Sequence, residues 1–264
     1  MSDPIGVFDS GVGGLSVLRE IRRELPFEDL LYVADSGFAP YGDRPAEFIR
    51  QRATAIVDYL ESRRAKAVVV ACNTATGVAV DHLRASRSTP IIAIEPAVKP
   101  AAAETRSGVV GVLATSQMLA STRFERLVST YGADVDVLVQ ACPGLVEQVE
   151  QGDLSGPDTR ALVERYVRPL IERGADTLVL GCTHYPFLAP LIQAAAGSTV
   201  TLIDPAVAVA REVRRRLTAS DLLAPEGRHS TEEFWTSGRP AAVQPVIAQL
   251  WGREIEVHSL PSQV

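Results

Sequence analysis

Two cysteines stand in near-matching surroundings, Val70-Ala71-Cys72-Asn73-Thr74 and Leu180-Gly181-Cys182-Thr183-His184. Each closes an apolar run and precedes a stretch of helical character. Both thiols are therefore expected at the carboxyl ends of strands, near helix N-termini. In such places the helix dipole favours thiolate, and thiol pKa values of roughly 3.5–7.5 occur against ~8.5 for a free cysteine. A matched pair of this kind suits a reaction that inverts a carbon centre. One sulfur removes a proton from one face, and the other returns a proton to the opposite face. Asn73 and Thr74 add donors beside Cys72, and His184 is close enough to Cys182 in sequence to exchange a proton with it or orient it. A Cys–His pair could equally be the nucleophile and base of a hydrolase, a reading that leaves Cys72 and Asn73 without a role.

Asp9-Ser10-Gly11-Val12-Gly13-Gly14 follows the first apolar run and opens a helix. A dinucleotide fingerprint would read G-x-G-x-x-G, and Ser16 stands where the third glycine belongs. Asp35 closes the second run, where a ribose-binding acid would lie. The competing reading is a glycine loop that brings bare N–H groups to a small anion. The charge of Asp9 at the loop mouth favours that small-ligand view over a pyrophosphate. Cys142 precedes Pro143-Gly144 with no acid, base or donor beside it, and reads as structural. Glu150 falls on a short helical stretch after it, within reach of a cleft. Tyr41-Gly42, after Ala39-Pro40, has the form of a tight turn. His82, His229 and His258 lack identifiable partners, and the scattered cysteines and histidines give no metal-ligand spacing. Lys66 and Lys99 are the only lysines and neither sits in a site-like motif, which counts against a pyridoxal phosphate Schiff base.

The elements that must position these residues alternate regularly. Strands are predicted at Ile5–Phe8, Leu30–Ala34, Ala67–Ala71, Pro90–Ile94, Gly108–Leu113, Val135–Gln140, Thr177–Leu180 and Thr199–Ile203. Most are continuous and β-branched, as strands covered on both faces are. Helices are predicted at Leu15–Leu25, Ala46–Arg63, Ala75–Ser86, Gln117–Tyr131, Asp158–Arg173 and Ala206–Leu217, and Pro186 suits the first turn of another. This alternation implies an α/β protein of mainly parallel sheets flanked by helices. The order also repeats. Gly6 and Gly111, Ala34 and Ala141, and Cys72 and Cys182 are 105, 107 and 110 residues apart, a slow drift expected of two copies separated by small insertions. Two pseudo-symmetric units facing each other would set both cysteines on opposite walls of one cleft, because ligands bind beyond the carboxyl ends of parallel strands. Residues 1–96 with 208–264 are assigned to the first unit and 97–207 to the second. The less regular end, with Glu232–Thr236 extended, a helix at Ala241–Leu250 and a strand at Glu254–His258, is expected to cross back and complete the first unit.

The 264 residues are 46% hydrophobic and 22% charged, with a formal net charge of −6, enough for a full-sized core without a basic stripe for nucleic acid. No apolar stretch reaches the ~18 residues of a membrane span, and the N-terminus lacks the features of a signal peptide. Three cysteines without a CxxC pair suit a reduced, cytoplasmic setting.

Five segments together resemble the glutamate racemases of the cofactor-independent aspartate/glutamate racemase superfamily. They are Gly6-Val7-Phe8-Asp9-Ser10-Gly11-Val12-Gly13-Gly14-Leu15, Pro40-Tyr41-Gly42, Ala71-Cys72-Asn73-Thr74-Ala75-Thr76, Cys142-Pro143 through Glu150, and Gly181-Cys182-Thr183-His184-Tyr185-Pro186. The resemblance implies two α/β units with a glutamate bound between them, without metal or pyridoxal phosphate. It implies Cys72 and Cys182 as catalytic bases, Cys72 facing the proton of the D-isomer and Cys182 that of the L-isomer. Asp9 is expected to assist Cys72, His184 to assist Cys182, and Glu150 to support them. Substrate contacts are expected from Asp9, Ser10, Tyr41, Gly42, Asn73, Thr74, Thr183 and His184. Cys-Thr-His-Tyr is the form typical of glutamate rather than aspartate racemases. Asp35-Ser36-Gly37-Phe38 departs from the Asp-Thr form of many members, a difference that bears on specificity. The family further implies a role in supplying D-glutamate for peptidoglycan, and homodimers are common in it, although no surface feature of the sequence marks a dimer face.

Overall fold

The structure is a computed structural model that describes residues 3–132 and 134–264. The chain begins with β1 (Ile5–Asp9), α1 (Leu15–Glu24), β2 (Leu30–Ala34), α2 (Ala46–Ser62), β3 (Ala67–Val70), α3 (Asn73–Ser86) and β4 (Ile91–Ala93). After α4 (Val98–Glu104) come β5 (Val109–Ala114), α5 (Ser116–Leu119), α6 (Thr122–Tyr131), β6 (Asp136–Ala141), α7 (Leu145–Glu150), α8 (Pro157–Glu172), β7 (Thr177–Leu180), α9 (Ala189–Ala196) and β8 (Thr201–Ile203). The chain closes with α10 (Ala206–Ala219), β9 (Glu232–Thr236), α11 (Pro240–Trp251) and β10 (Val257–Ser259).

Two parallel sheets result, with strand orders β10-β9-β2-β1-β3-β4 and β6-β5-β7-β8. The inner run β2-β1-β3-β4 has the same order as β6-β5-β7-β8, so the repeat in the sequence is a repeat in space. Its partners match the sequence offsets, with β1 equivalent to β5 and β3 to β7. The last two strands do cross back, β9 pairing in parallel with β2 from Leu30–Glu232 to Ala34–Thr236. Every residue of β1, β2, β3 and β7 is buried, which explains their unbroken apolar runs. Helices cover both faces of each sheet. On one face of the first, Ile49, Ile56 and Leu60 of α2 and Ala79 and Leu83 of α3 pack against Val68 and Val70. On the other, Leu15, Leu18 and Ile21 of α1 join Val209 and Val213 of α10. No helix among the described residues is long and apolar enough to cross a membrane.

Three predicted elements differ from the observed ones, the first being the last strand, expected at Glu254–His258 and found as Val257–Ser259. The helix expected over 117–131 is broken at Ala120-Ser121, because Ser121 Oγ accepts from Phe124 N–H at 3.2 Å and caps a new helix. Pro186 opens a single 3-10 turn, Tyr185–Leu188, and the regular helix α9 starts only at Ala189. The two cysteines are thus not equivalent in local backbone. Cys72 caps α3 directly, while Cys182 lies seven residues before α9.

Candidate active site

Asp9 ends β1 fully buried, and the loop to α1 wraps its carboxylate. Gly11 N–H donates to Oδ1 at 3.0 Å and Thr183 Oγ to Oδ2 at 2.9 Å. Burial outweighs these donors and the charge of His184, and raises the Asp9 carboxyl above its usual range. Cys72 donates toward Ser10 Oγ at 3.6 Å, and Ser10 Oγ lies 3.4 Å from Asp9 Oδ1. Asp9 therefore reaches Cys72 through a hydroxyl. Ala75 N–H donates to Cys72 Sγ at 3.4 Å, so the thiol caps the helix beside which the sequence placed it. That contact favours thiolate as expected, but the thiol as a whole titrates in the opposite direction. Burial first, and then the negative charge of Asp9, push the thiol up to about 12, outweighing the helix N–H and Ser10.

The second unit supplies a different environment. His184 Nδ1 lies 3.6 Å from Cys182 Sγ, and its Nε2 lies 2.7 Å from Glu150 Oε1. Burial draws this imidazole down, but the sulfur on one side and the carboxylate on the other outweigh it and hold its pKa well above the ordinary 6.5. Glu150, at the end of α7, also accepts Val12 N–H at 2.7 Å. The dyad lies directly on the β1–α1 loop. A Cβ at Gly11 would stand 1.8 Å from Glu150 Oε1, and one at Gly13 would stand 2.3 Å from His184 Nδ1. The glycines are there to admit a carboxylate and an imidazole from the opposite unit. This overturns the dinucleotide alternative, since Gly11 and Val12 N–H groups are already engaged and side chains fill the seat of a pyrophosphate. Asp35 is engaged too, through both oxygens, by Arg52 at 2.7 and 3.0 Å and by the Tyr41 hydroxyl.

Asn73 is buried at 4% exposure, and neither side-chain amide atom has a hydrogen-bond partner among the described residues. An unpaired buried amide costs about 1–3 kcal/mol, so its presence next to Cys72 points to a ligand that completes it. Thr74 Oγ meets Thr115 Oγ of the second unit at 3.0 Å, and a Cβ on Gly42 would lie 3.3 Å from Thr115. A narrow crevice bordered by Pro40, Gly42, Thr115, Cys142 and Pro143 runs beside them. Asp9, Ser10, Cys72, Glu150, Cys182, Thr183 and His184 thus form one connected group. Asn73 and Thr74 follow Cys72 at the start of α3, Gly42 packs against Thr115, and the Tyr41 hydroxyl is turned to Asp35. Cys142, read from sequence as structural, is buried at the edge of that crevice, its thiol donating to the Gln140 carbonyl at 3.3 Å.

Sequence reasoning missed three residues. Thr115 faces the cleft from the end of β5, a position that the internal repeat marks as equivalent to Ser10. Ser16 Oγ lies 2.9 Å from the carbonyls of both Gly13 and Thr183, bridging the two units. Arg52 gave no signal, since an arginine on an amphipathic helix reads as solvated.

Residues 5–213 match the family described as Asp/Glu/Hydantoin racemase. The chain belongs to that racemase family. A glutamate racemase from Methylococcus capsulatus is 56% identical over 259 residues, covering 98% of this chain and 96% of its own length. Among solved structures, a glutamate racemase isoform from Bacillus anthracis superposes with a TM-score of 0.91 at 33% identity, covering 99% of this chain and 98% of the other. The Escherichia coli glutamate racemase, solved with L-glutamate and the activator UDP-MurNAc-ala, gives a TM-score of 0.85 at 30% identity and covers 98% of each chain. Both racemase structures share the two-domain α/β fold found here.

Proposed function

We propose that this chain interconverts L- and D-glutamate by a two-base reaction at Cα, with Cys72 and Cys182 as the bases. The observation that carries the reading is the pair of thiols at equivalent ends of duplicated sheets, each with its own helpers. Full-length similarity to glutamate racemases supports the substrate. In the L-to-D direction the Cys182 thiolate takes the Cα proton and becomes a thiol, with the positive His184 3.6 Å away as the counter-ion of the thiolate. Cys72, held as a thiol by its burial and by Asp9, gives a proton to the opposite face. In the reverse direction the Cys72 proton has a route through Ser10 to Asp9, whose raised pKa suits it to receive one. A carbon acid beside a carboxylate is far weaker than a thiol, so rate must come from fixed donors around the developing charge. The unpaired Asn73 amide beside Cys72 supports it as such a donor, with the hydroxyls of Ser10, Thr74 and Thr183 nearby. The reading extends to a cytoplasmic enzyme that supplies D-glutamate for peptidoglycan. The division into residues 1–96 with 208–264 and residues 97–207 is supported by the pairing of β9 and β10 with the first sheet.

The test is proton NMR of the purified protein with L-glutamate in D2O, with optical rotation followed in parallel and no cofactor added. The expected result is loss of the Cα–H signal together with decay of rotation to zero, and abolition of both by either Cys72→Ser or Cys182→Ser. Neither change in the wild-type protein would overturn the racemase reading, and near-full racemization by Cys72→Ser would overturn the two-cysteine mechanism.

A further inference from the structure

A buried ion pair lies beneath the cleft and takes no part in the proton transfers. Arg52 projects from the second turn of α2, with its side chain 12% exposed, and grips fully buried Asp35 in a two-pronged contact. The same carboxylate accepts the Tyr41 hydroxyl. The guanidinium lies 3.9 Å from the centroid of the Phe38 ring and also donates to the Val264 carbonyl. Asp35, Phe38 and Tyr41 all belong to the segment joining β2 to α2, which has only the short turn Tyr41–Asp43 as regular structure. A connection this long and irregular adopts one conformation only where side chains hold it. Arg52 touches two of its points, Asp35 and Phe38, and reaches the third, Tyr41, through Asp35. With the Tyr41 hydroxyl committed to Asp35, the Tyr41-Gly42 backbone opposite Thr115 is left to form that wall of the cleft.

We propose that Arg52 is a positioning residue, fixing the Tyr41-Gly42 wall against glutamate through Asp35. The inference rests on the racemase reading above. A planar fork bonded to both carboxylate oxygens fixes direction as well as distance, which the point charge of a lysine does not. Loss of the fork would loosen the binding wall and leave Cys72, Cys182 and their helpers in place. The effect would therefore fall on substrate binding more than on the chemical step.

The experiment measures KM and kcat in both directions for wild type, Arg52→Gln, Arg52→Lys and Arg52→Gly, the last with and without guanidinium. Arg50→Gln is the control, since among the described residues Arg50 pairs with Glu47 on the exposed face of α2. Thermal melts report folding. Arg52→Gln is expected to raise KM for both isomers about tenfold or more with kcat within about threefold of wild type. Arg52→Lys should fall between, and millimolar guanidinium should lower the KM of Arg52→Gly, a rescue that a general loss of stability would not show. A folded Arg52→Gln with wild-type KM, or with kcat lost and KM unchanged, overturns the assignment. If Arg52→Gln does not fold, Arg52→Lys together with Tyr41→Phe decides, and wild-type KM in both overturns it. An inactive wild-type protein would sink the racemase reading itself, and that outcome is read first.

Discussion

Replacement of Glu150 by glutamine separates charge from shape at the centre of the site. A glutamine oxygen can still accept from Val12 N–H and from His184 Nε2–H, each now 2.7 Å from Glu150 Oε1. What disappears is the negative charge that helps to hold His184 protonated. Hydrogen bonds to charged groups contribute about 1.5–3 kcal/mol against ~1 for neutral ones, so the imidazolium loses on the order of 1–2 kcal/mol. At 1.36 kcal/mol per unit, the limb of the pH–rate profile set by the His184 imidazolium should move down by roughly one pH unit. Circular dichroism at a fixed wavelength, following racemization from about pH 6 to pH 10, reads that limb. Stability provides a second readout. The folded pKa of His184 lies above its unfolded value of about 6.5, so its protonation contributes fully below that pH. The contribution is lost as pH rises through the elevated folded pKa. Wild-type Tm should therefore fall over this window, and Glu150→Gln should show a flatter curve. An unmoved limb with an unchanged Tm slope would refute the role of Glu150 as the partner of the imidazolium.

Gly13→Ala should cut activity by about a hundredfold or more while the fold survives, because its methyl would lie 2.3 Å from His184 Nδ1 and must displace the imidazole from Cys182. Steady-state kinetics with a far-ultraviolet spectrum checks this, and near-normal activity would show that the loop yields instead. Asn73→Ala should leave Tm unchanged or raise it slightly, since the amide has no partner to lose, while KM for glutamate rises about tenfold. Thermal melts paired with KM in both directions test it. A large drop in Tm without a change in KM would make Asn73 structural.

Much of the site was legible because its signals are local. A thiol that closes an apolar run and precedes a polar helix start can be placed from a few residues. The repeat offsets then put Cys72 and Cys182 at equivalent strand ends. The glycines of the β1–α1 loop were legible as a place of close approach, but not what approaches them. A sequence of alternating Gly cannot distinguish a phosphate from a carboxylate that belongs to residue 150. Arg52 and Asp35 were missed as a pair for the same reason: each has an ordinary local explanation, and only folding sets them together. The helix break at Ser121 was in principle visible as a capping serine, outweighed by the apolar period running across it.

The sequence by itself determined the parallel α/β class, the duplication and the two thiols, because backbone hydrogen bonding and apolar periodicity act over neighbouring residues. The tertiary structure decided how the two thiols differ. Cys72 is a helix cap joined through Ser10 to Asp9, whereas Cys182 faces an imidazole held by Glu150. The helix dipole expected from sequence favours thiolate at Cys72, yet desolvation and the Asp9 charge push it up to about 12. Burial and the charge of a distant residue are set by the whole fold, and inside it they outweigh a local dipole.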